Sequence, residues 1–386
     1  MQVSVISSLY TRNDAISEVV RGTAHALISR LQADVRVFVS SHNVDDLDVR
    51  DISGSGDLLS DPFFKTSDAI IYHFGIYYKH FNTIFLKNMN ACRIVRFHNI
   101  TPVEFMQDRE RPLIEASMRQ MAVIDEADEV WTDSAYNRST LINHGIEPAK
   151  ITTIPLYSKP HYRRPRRSGK AKNPLHILYV GRFVKSKGVM DLIKAVAKIR
   201  SRQIAPFKLI LAGNEAFSDP AYITRLQDEI AARSLGSHIE FIGSVSDSQL
   251  SQLYREASIF VMPSYHEGFC MPIVEAMASC CVPVAYAAGN IPDLMGELGK
   301  LAPIGDIDRF AELLAETISD LSPSVRPARF SNPRGGYLSL EAYDELLLER
   351  LEMFSYKKFA DRVADRVGDL VAKSRVRMGD KEHDPS

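Results

Sequence analysis

Short apolar runs rich in β-branched residues alternate with amphipathic helical stretches along most of the chain. In the first half these runs lie at 3–9, 35–41, 69–74, 92–98, 129–134 and 151–156. In the second half the runs restart at 176–181, 208–213, 239–243, 258–263 and 282–287. This alternation is typical of βαβ units, in which helices join parallel strands. The pattern predicts an α/β protein with two similar parallel sheets.

A basic stretch at 159–174 separates the two halves. It contains seven basic residues, three prolines and no acidic residue, and both proline and like-charge repulsion oppose packing. We therefore predict an exposed linker between domains at 1–158 and 175–330. A helix at 331–356 follows a Pro-Gly turn and is expected to return to the N-terminal domain, and 357–386 form an amphipathic, polar tail.

Composition narrows the class of protein. The chain has 386 residues, 45% hydrophobic and 25% charged, which excludes wholesale disorder and fibrous repeats. A formal net charge of -1 gives no overall field that would attract nucleic acid. The four cysteines include no C-x-x-C pair. We predict a protein of the reducing cytoplasm, with no metal site and no nucleic-acid partner.

The sequence also bears on membranes. No apolar run reaches the roughly 18 residues that a spanning helix needs, and the N-terminus lacks the pattern of a secretory signal. We therefore predict neither a secreted nor an integral membrane protein. Two interpretations of 159–174 and of the tail stay open. These segments are either hydrated or packed on the protein, or they make peripheral contact with an anionic membrane at the inner face of the cell.

The segment VMPSYHEGFCMPIVEAM at 261–277 is the most informative. A strand ends at Pro263, a polar loop follows, and a helix begins near Pro272, a residue preorganised for the first helical position. A helix N-terminus is thereby predicted at the carboxyl end of a parallel strand. That edge is the usual ligand crevice of open α/β sheets, and free N–H groups favour an anion there. A phosphate is the natural candidate.

Two carboxylates, Glu267 and Glu275, flank this predicted anion site. An ionised carboxylate only accepts hydrogen bonds, so the pair suits hydroxyl groups on either side of a phosphate. A nucleoside diphosphate sugar has that layout, with a ribose diol at one end and sugar hydroxyls at the other. In the alternative interpretation, Glu275 is a first-turn residue favoured by the helix dipole and Glu267 is a loop charge.

The segment YVGRFVKSKGVMDLIKAV at 179–196 repeats this design after the first strand of the second sheet. The strand ends at Gly181, and Arg182 and Lys187 precede a helix. An arginine fork and a lysine point charge suit a diphosphate whose charge grows as it leaves. The alternative is a pair of solvated loop charges.

Together, E-x7-E in EGFCMPIVE, the GRFVKSKG segment and the alternating strands resemble the retaining glycosyltransferases of family 4. The resemblance extends over 1–350 and is strongest at 175–290. It implies the α/β GT-B fold, two facing Rossmann-like domains with an interdomain cleft, the first on the acceptor side. It also implies a metal-independent enzyme of the hexosyltransferase type with no cofactor. Such an enzyme moves a sugar from a nucleotide donor to a saccharide or lipid-linked acceptor, as in bacterial polysaccharide or lipopolysaccharide assembly.

The resemblance also assigns roles to residues. Glu267 contacts hydroxyls of the transferred sugar, Glu275 contacts the ribose, and Arg182 with Lys187 holds the diphosphate. The remaining donor-binding positions, which act largely through the backbone, are Gly181, Gly243, Val245, Gly268, Phe269, Cys270 and Met271. Cys270 departs from the glycine often found at its position. Ser246 and Gln249 have the spacing of a capping box.

In the first half, RFHNITP places His98 and Asn99 at a strand end, and the segment looks like the YHNITP segment of family 4 enzymes. The resemblance implies that His98 approaches the donor sugar and joins Arg182, Lys187 and Glu267 as a catalytic residue. His73 ends another strand at the same edge and is a cleft candidate with Asn99.

Asp14 follows the first strand, in a loop similar to the GDAI-type loop of family 4. It is a cleft candidate, with helix capping as the alternative. Arg12 and Asn13 replace the glycine of that loop. The segment after Asp133 is interpreted as a structural helix that begins at Ser134.

Two rival functions stay open. One is a nucleotide-sugar epimerase or a sugar phosphorylase on the same fold, because a fold does not determine chemistry. The other is a non-catalytic nucleotide-sugar-binding protein. The nucleotide base, the sugar, the acceptor and the linkage are not encoded in a recognisable motif.

Overall fold

The computed structural model describes residues 1–12, 14–86, 90–105, 110–158, 173–202, 204–322, 330–331 and 336–382. The chain divides into two compact units, one of Met1–Tyr157 with Ser355–Ser386 and one of Ser158–Phe354. All of the predicted linker except its last two positions, Asn173 and Pro174, lies outside the described residues.

The first unit is built on a seven-stranded parallel sheet. Its strands are β1 (Gln2–Ile6), β2 (Asp34–Val39), β3 (Asp48–Asp51), β4 (Ala69–Phe74), β5 (Cys92–Phe97), β6 (Glu129–Thr132) and β7 (Ile151–Thr153). The spatial order is β3-β2-β1-β4-β5-β6-β7. The order reverses between β1 and β4, which defines the switch point of this sheet.

Helices connect these strands and cover the sheet. They are α1 (Ala15–Leu31), α2 (Ser55–Ser60), α3 (Pro62–Lys65), α4 (Arg111–Gln120) and α5 (Ala135–Asn143). Short 3-10 helices lie at Lys79–Phe85, Val103–Phe105, Met121–Ile124 and Pro148–Lys150. All six residues of β4 are buried, as expected for a central strand of a parallel sheet covered on both faces.

The second unit has a six-stranded parallel sheet. Its strands are β8 (Leu175–Val180), β9 (Phe207–Ala212), β10 (Ile239–Gly243), β11 (Ile259–Met262), β12 (Val282–Tyr286) and β13 (Lys300–Ala302). The order β10-β9-β8-β11-β12-β13 puts the switch point between β8 and β11. A separate antiparallel pair consists of β14 (Phe330–Ser331) and β15 (Tyr337–Leu338). The predicted pair of parallel sheets is confirmed.

The helices of the second unit follow the alternation read from the sequence. They are α6 (Val189–Ile199), α7 (Pro220–Ala232), α8 (Asp247–Glu256), α9 (Met271–Ala278), α10 (Ile291–Met295), α11 (Ile307–Asp320) and α12 (Leu340–Glu352). Two 3-10 helices lie at Lys185–Lys187 and Glu215–Phe217. In α6 the buried positions Val189, Leu192, Ile193 and Val196 recur at helical spacing and form one buried face of the helix.

The last helix, α13 (Tyr356–Glu382), packs on α1 of the first unit. Its apolar stripe is buried there, at Phe359, Val363, Val367 and Val371. The apolar stripe of α13 is therefore packed on the protein and is not available to contact a membrane. No helix among the described residues is long and apolar enough to cross a membrane.

The segment that returns to the first unit is not the one that we predicted. We expected the helix within 331–356 to return to the N-terminal domain, but α12 belongs to the second unit. There Arg350 Nε donates to the carbonyl of Leu294 at 2.9 Å, which ties α12 to α10. The part of the chain that rejoins the first unit begins at Ser355 and includes α13. The apolar pattern of both helices is similar, so periodicity alone did not distinguish them.

The packing of α13 leads to a stability prediction. Val367→Ala removes two methyl groups from a fully buried site and should lower the free energy of unfolding by about 1–3 kcal/mol. Val376→Ala is the matched control, because Val376 lies on the same helix with 64% of its surface exposed. Urea unfolding of the full chain measures both. Equal effects of the two substitutions would contradict the observed packing.

Candidate functional site

Two loops meet at the switch point of the second sheet. One runs from Gly181 to Gly188 after β8, and the other runs from Pro263 to Cys270 after β11. Each loop leads from the carboxyl end of a strand into a helix, α6 or α9. The two segments predicted to bind the donor therefore lie side by side at the edge where open α/β sheets bind ligands.

The backbones of these two loops are in direct contact. The N–H of Tyr265 donates to the carbonyl of Ser186 at 2.8 Å. Gly188 has φ +66°, and a Cβ atom there would lie 1.9 Å from the carbonyl oxygen of Pro263. Two separate constraints therefore favour glycine at this position. One is the left-handed backbone, and the other is the close approach of the Pro263 carbonyl.

An ion pair joins the same two loops. Lys187 Nζ lies 2.6 Å from Glu267 Oε1, and the Glu267 side chain is only 9% exposed. Arg182 is exposed and forms no ion pair or side-chain hydrogen bond among the described residues. The sequence assigned Lys187 to the diphosphate and Glu267 to the sugar. In the structure these two side chains contact each other, so the cation predicted for the phosphate and the carboxylate predicted for the sugar occupy one small region.

The loop that carries Glu267 is shaped by close backbone contacts. Asn290 N–H donates to the carbonyl of Glu267 at 3.1 Å. A Cβ atom at Gly289 would lie 2.0 Å from that same carbonyl oxygen. Cys270, the N-cap of α9, has φ +82°. The left-handed conformation explains why glycine suits this position, since a side chain there adds backbone strain.

Cys270 is buried directly beside Glu267. Burial and the neighbouring carboxylate raise the pKa of the Cys270 thiol well above its ordinary value. The thiol therefore stays protonated and acts as a small packing group.

Glu275 lies further into α9 than the alternative interpretation required. The helix begins at Met271, so Glu275 is its fifth residue and lies beyond the first turn. The first-turn explanation of Glu275 is therefore wrong. Its Oε2 accepts a hydrogen bond from the hydroxyl of Tyr254 on α8 at 3.0 Å, which fixes the orientation of the carboxylate.

Gly243 and Val245 lie at the carboxyl end of β10, as predicted, and Gly243 has φ +64°. A Cβ atom at Gly243 would lie 2.6 Å from Oε2 of Glu215, a carboxylate that the sequence analysis missed. Glu215 follows β9, so its position after a strand of the same edge could have pointed to it. Ser246 and Gln249 form the predicted capping box of α8.

Sequence analysis also missed Asp191, which links the loop after β11 to α6. Asp191, in the first turn of α6, accepts hydrogen bonds from the hydroxyls of Tyr265 at 2.5 Å and Tyr286 at 3.1 Å. Burial, together with Asp191, raises the pKa of both tyrosines. They therefore remain hydrogen-bond donors and hold the loop of Glu267 against α6.

In the first unit, His98 and His73 come together at the carboxyl edge of the sheet. His98 Nε2 lies 3.0 Å from His73 Nδ1, and the two rings are stacked with centroids 5.2 Å apart. His98 Nδ1 lies 2.8 Å from Oδ2 of Asp133, which follows β6. Arg96 Nε donates to Oδ1 of the same carboxylate at 3.0 Å. Sequence analysis missed Asp133 and Arg96, although each lies at the end of a strand of this edge.

Burial and the neighbouring side chains together determine the protonation of this group. Burial, with the nearby charges of His98 and Arg96, lowers the pKa of His73 well below its ordinary value. Burial alone would raise the pKa of Asp133, but His98 and Arg96 outweigh it and lower that pKa. Asp133 is therefore an ionised, acceptor-only carboxylate beside two imidazoles.

The other two cleft candidates form local contacts. Asp14 accepts from the N–H of Ser17 at 2.8 Å and caps α1, the alternative considered from the sequence. Asn99 has φ +77°, and its Nδ2 donates to Oδ1 of Asn137 at 2.7 Å. Neither contact tests a role in a cleft. Within the described ranges, no three His, Cys, Asp or Glu side chains form a group that could hold a metal ion.

The two parallel sheets and their helices define an α/β protein, and its neighbours among solved structures have the GT-B fold. Sucrose-phosphate synthase from Thermosynechococcus elongatus has TM-score 0.72 and 19% identity, over 97% of this chain and 100% of that chain. Anabaena Alr3699/HepE in complex with UDP-glucose has TM-score 0.75 and 17% identity, over 96% of this chain and 100% of that chain. At these identities the likeness shows the fold, and the predicted fold class is confirmed.

Sequence comparison adds the family. Residues 163–331 match the family described as glycosyl transferases group 1, and both loops of the site lie within this range. This part of the chain therefore resembles a group 1 glycosyltransferase domain, which confirms the predicted glycosyltransferase resemblance.

Two curated relatives are mannosyltransferases by name. O-antigen chain mannosyltransferase B from Escherichia coli is 28% identical over 259 residues, 63% of this chain and 66% of the relative. The MMP alpha-(1->4)-mannosyltransferase of Mycolicibacterium hassiacum is 26% identical over 255 residues, 64% of this chain and 57% of the relative. The alignments thus cover less than two thirds of either relative, so the activity of the whole chain is a matter for proposal.

The close approach at Gly188 leads to the second prediction. Gly188→Ala should destabilise the second unit by about 1–2 kcal/mol for the left-handed backbone and by about 1–3 kcal/mol more for the clash with Pro263. Gly305→Ala is the matched control, because Gly305 has φ +79° but only ordinary contacts at 3.7 Å. Denaturant unfolding compares the two. If Gly188→Ala cost no more than Gly305→Ala, the loops would not depend on this contact.

Proposed function

We propose that the protein is a retaining, metal-independent glycosyltransferase of family 4. It transfers a hexose from a nucleoside diphosphate sugar to a saccharide or a lipid-linked saccharide, in the assembly of bacterial surface polysaccharide such as lipopolysaccharide. One observation carries the proposal. Lys187 and Glu267 meet at the switch point of the second sheet, inside the range matched by the glycosyltransferase family.

The proposed donor contacts follow the arrangement of charges. Arg182 and Lys187 hold the diphosphate together with the free N–H groups at the start of α9. Glu267 accepts from hydroxyls of the sugar, and Glu275 accepts from the ribose. Glu267 is nearly buried and needs compensation, which Lys187 provides before the donor binds.

The chemistry requires stabilisation of a leaving group. As the bond between the sugar and the diphosphate breaks, negative charge grows on the phosphate oxygens, and preorganised cations stabilise that charge. In the front-face mechanism that the family resemblance implies, a departing phosphate oxygen takes the proton of the acceptor hydroxyl. No side chain then has to act as a general base.

The names of similar proteins suggest the first donors to test. Two relatives are named as mannosyltransferases, and one structural neighbour was solved with UDP-glucose. Thermal unfolding with nucleotide-linked mannose and with UDP-glucose tests the proposal. A donor at 100 times its dissociation constant should stabilise the protein by about 2.7 kcal/mol.

Product analysis then separates the rival functions. Transfer to an added saccharide supports the proposal. Conversion of the donor without an acceptor indicates an epimerase, and sugar phosphate formed with inorganic phosphate indicates a phosphorylase. Donor binding with neither hydrolysis nor transfer indicates a non-catalytic binding protein and contradicts the proposal.

The third prediction concerns the two cations. Arg182→Ala and Lys187→Ala should each lower kcat by about 100–1,000-fold and leave the affinity for the free nucleoside nearly unchanged, because their charges act on the leaving diphosphate. Lys185→Ala is the matched control, since Lys185 is exposed in the same loop. Steady-state kinetics with calorimetric binding gives both quantities. Wild-type turnover in either variant would remove the phosphate assignment.

The fourth prediction separates the two carboxylates. Glu275→Gln should weaken the binding of the nucleoside diphosphate, because it changes the group that accepts from the ribose. Glu267→Gln should not weaken that binding but should impair transfer, because it frees Lys187 and removes the sugar contact. The variants serve as each other's control in titration calorimetry. Unchanged nucleotide affinity in Glu275→Gln would show that the ribose role is wrong.

We also propose peripheral contact with an anionic membrane through the basic stretch 159–174, in a protein of the cytoplasm. Each Lys or Arg near an anionic surface contributes about 1 kcal/mol, and salt screens the attraction over about 8 Å. The buried stripe of α13 takes no part. Flotation with anionic liposomes should carry the protein at low salt only. Absence of flotation with both anionic and neutral liposomes would exclude this contact without affecting the transferase.

A further inference from the structure

Four buried polar side chains form one hydrogen-bonded group at the carboxyl edge of the first sheet. They are His73, Arg96, His98 and Asp133. The side chains of Arg96, His98 and Asp133 are 0%, 5% and 3% exposed. The family resemblance gives a role to His98 and makes His73 a cleft candidate, but it gives no role to Arg96 or Asp133.

The hydrogen-bond directions follow from simple chemistry. An ionised carboxylate has no proton to give, so the contact of 2.8 Å between His98 Nδ1 and Asp133 requires the proton on Nδ1. In a neutral ring the other nitrogen, Nε2, is then an acceptor. The contact of 3.0 Å with His73 Nδ1 therefore requires a proton on His73 Nδ1. His73 Nε2 is left with its lone pair, and this buried atom has no hydrogen-bond partner among the described residues.

Arg96 explains why the carboxylate is oriented in this way. A guanidinium only donates, and that of Arg96 donates to Oδ1 of Asp133, leaving Oδ2 for His98. Arg96 is itself fixed, because its Nη2 donates to the carbonyl of Ile154 at 2.8 Å. Its guanidinium also lies over the ring of Phe359 in α13, 5.2 Å from the centroid. The carboxylate thus has one orientation and one set of donors.

We propose that Asp133, oriented by Arg96, is a positioning residue that fixes the tautomers of both His98 and His73 and thereby sets the rate of sugar transfer. The part of this inference that concerns rate rests on the proposed function. The part that concerns tautomers rests on the geometry of the first unit alone. Asp133 acts through His98 and does not itself touch the substrate.

Asp133→Asn provides a sharp test. Arg96 still needs an acceptor, so it takes the oxygen of the new amide and leaves the NH2 group facing His98 Nδ1. That nitrogen must then accept, the proton of His98 moves to Nε2, and Nε2 donates to His73 Nδ1. The proton of His73 moves to its Nε2. One substitution, isosteric with the original side chain, therefore reverses the tautomers of two histidines.

Nitrogen-15 NMR of histidine-labelled full-length protein reads these tautomers directly. At about pH 8, where an ordinary histidine is neutral, the wild type should carry protons on Nδ1 of both His98 and His73. Spectra of His73→Gln and His98→Gln assign the signals. In Asp133→Asn both protons should appear on Nε2. A purely structural role of Asp133 would not produce this coupled change.

The control is Asp61→Asn. Asp61 is another buried aspartate of the first unit, 3.2 Å from Arg50 and 3.6 Å from Arg36, and it caps α3. Its substitution should destabilise the unit without changing either histidine tautomer. Transfer by folded Asp61→Asn should match the wild type. Transfer by Asp133→Asn should fall by about 10–100-fold in kcat with little change in KM for the donor.

Each outcome bears on the inference. Nε2–H on either histidine of the wild type overturns it, and that measurement stands even if Asp133→Asn does not fold. Unchanged tautomers in folded Asp133→Asn also overturn it, as does a tautomer change with wild-type transfer. If the wild type transfers no sugar from any donor, the proposed function fails, while the coupled tautomer change still supports the geometric assignment of Asp133.

Discussion

A backbone contact between two loops is the constraint on which the candidate donor site depends. Gly188 brings the loop after β8 against the carbonyl of Pro263, and Tyr265 N–H closes the contact on Ser186. Only because the backbones touch can Lys187 reach Glu267 at 2.6 Å. Parallel pairing of β8 with β11 brings the two strand ends together, and the glycine removes the last steric obstacle.

The charges at this point of the sheet explain why several groups are needed for one anion. Glu267 is largely removed from water, and a desolvated carboxylate would repel a diphosphate unless a cation stood beside it. Lys187 compensates this charge but is thereby partly neutralised. The exposed Arg182 and the N–H groups at the start of α9 supply the remaining positive potential. In the proposed function, this loop pair therefore combines groups that accept from hydroxyls with groups that bind phosphate.

The sequence was sufficient for the sheets and for the loops at their carboxyl edges, because strand patterns and helix starts are local. It was insufficient for contacts between side chains far apart along the chain. Lys187 and Glu267 are separated by 80 positions, and spacing says nothing of which way each side chain turns. Asp133 resembled a residue just before a helix cap, and its partner Arg96 resembled an ordinary strand residue. The roles of α12 and α13 were likewise hidden, since both have an apolar stripe and only packing shows which unit each covers.

The hydrogen bonds around Asp133 fix the orientation and protonation of its neighbours more than they stabilise the fold. Burying an arginine, an aspartate and two histidines has a large desolvation cost, and a buried ion pair contributes little net stability compared with well-packed apolar side chains. Within the described residues, Arg96 Nη1 and His73 Nε2 have no hydrogen-bond partner, which adds to that cost. The benefit must therefore lie in what the contacts specify. A guanidinium that can only donate and a carboxylate that can only accept leave one arrangement of protons on the neighbouring imidazoles, and no apolar substitute could impose it.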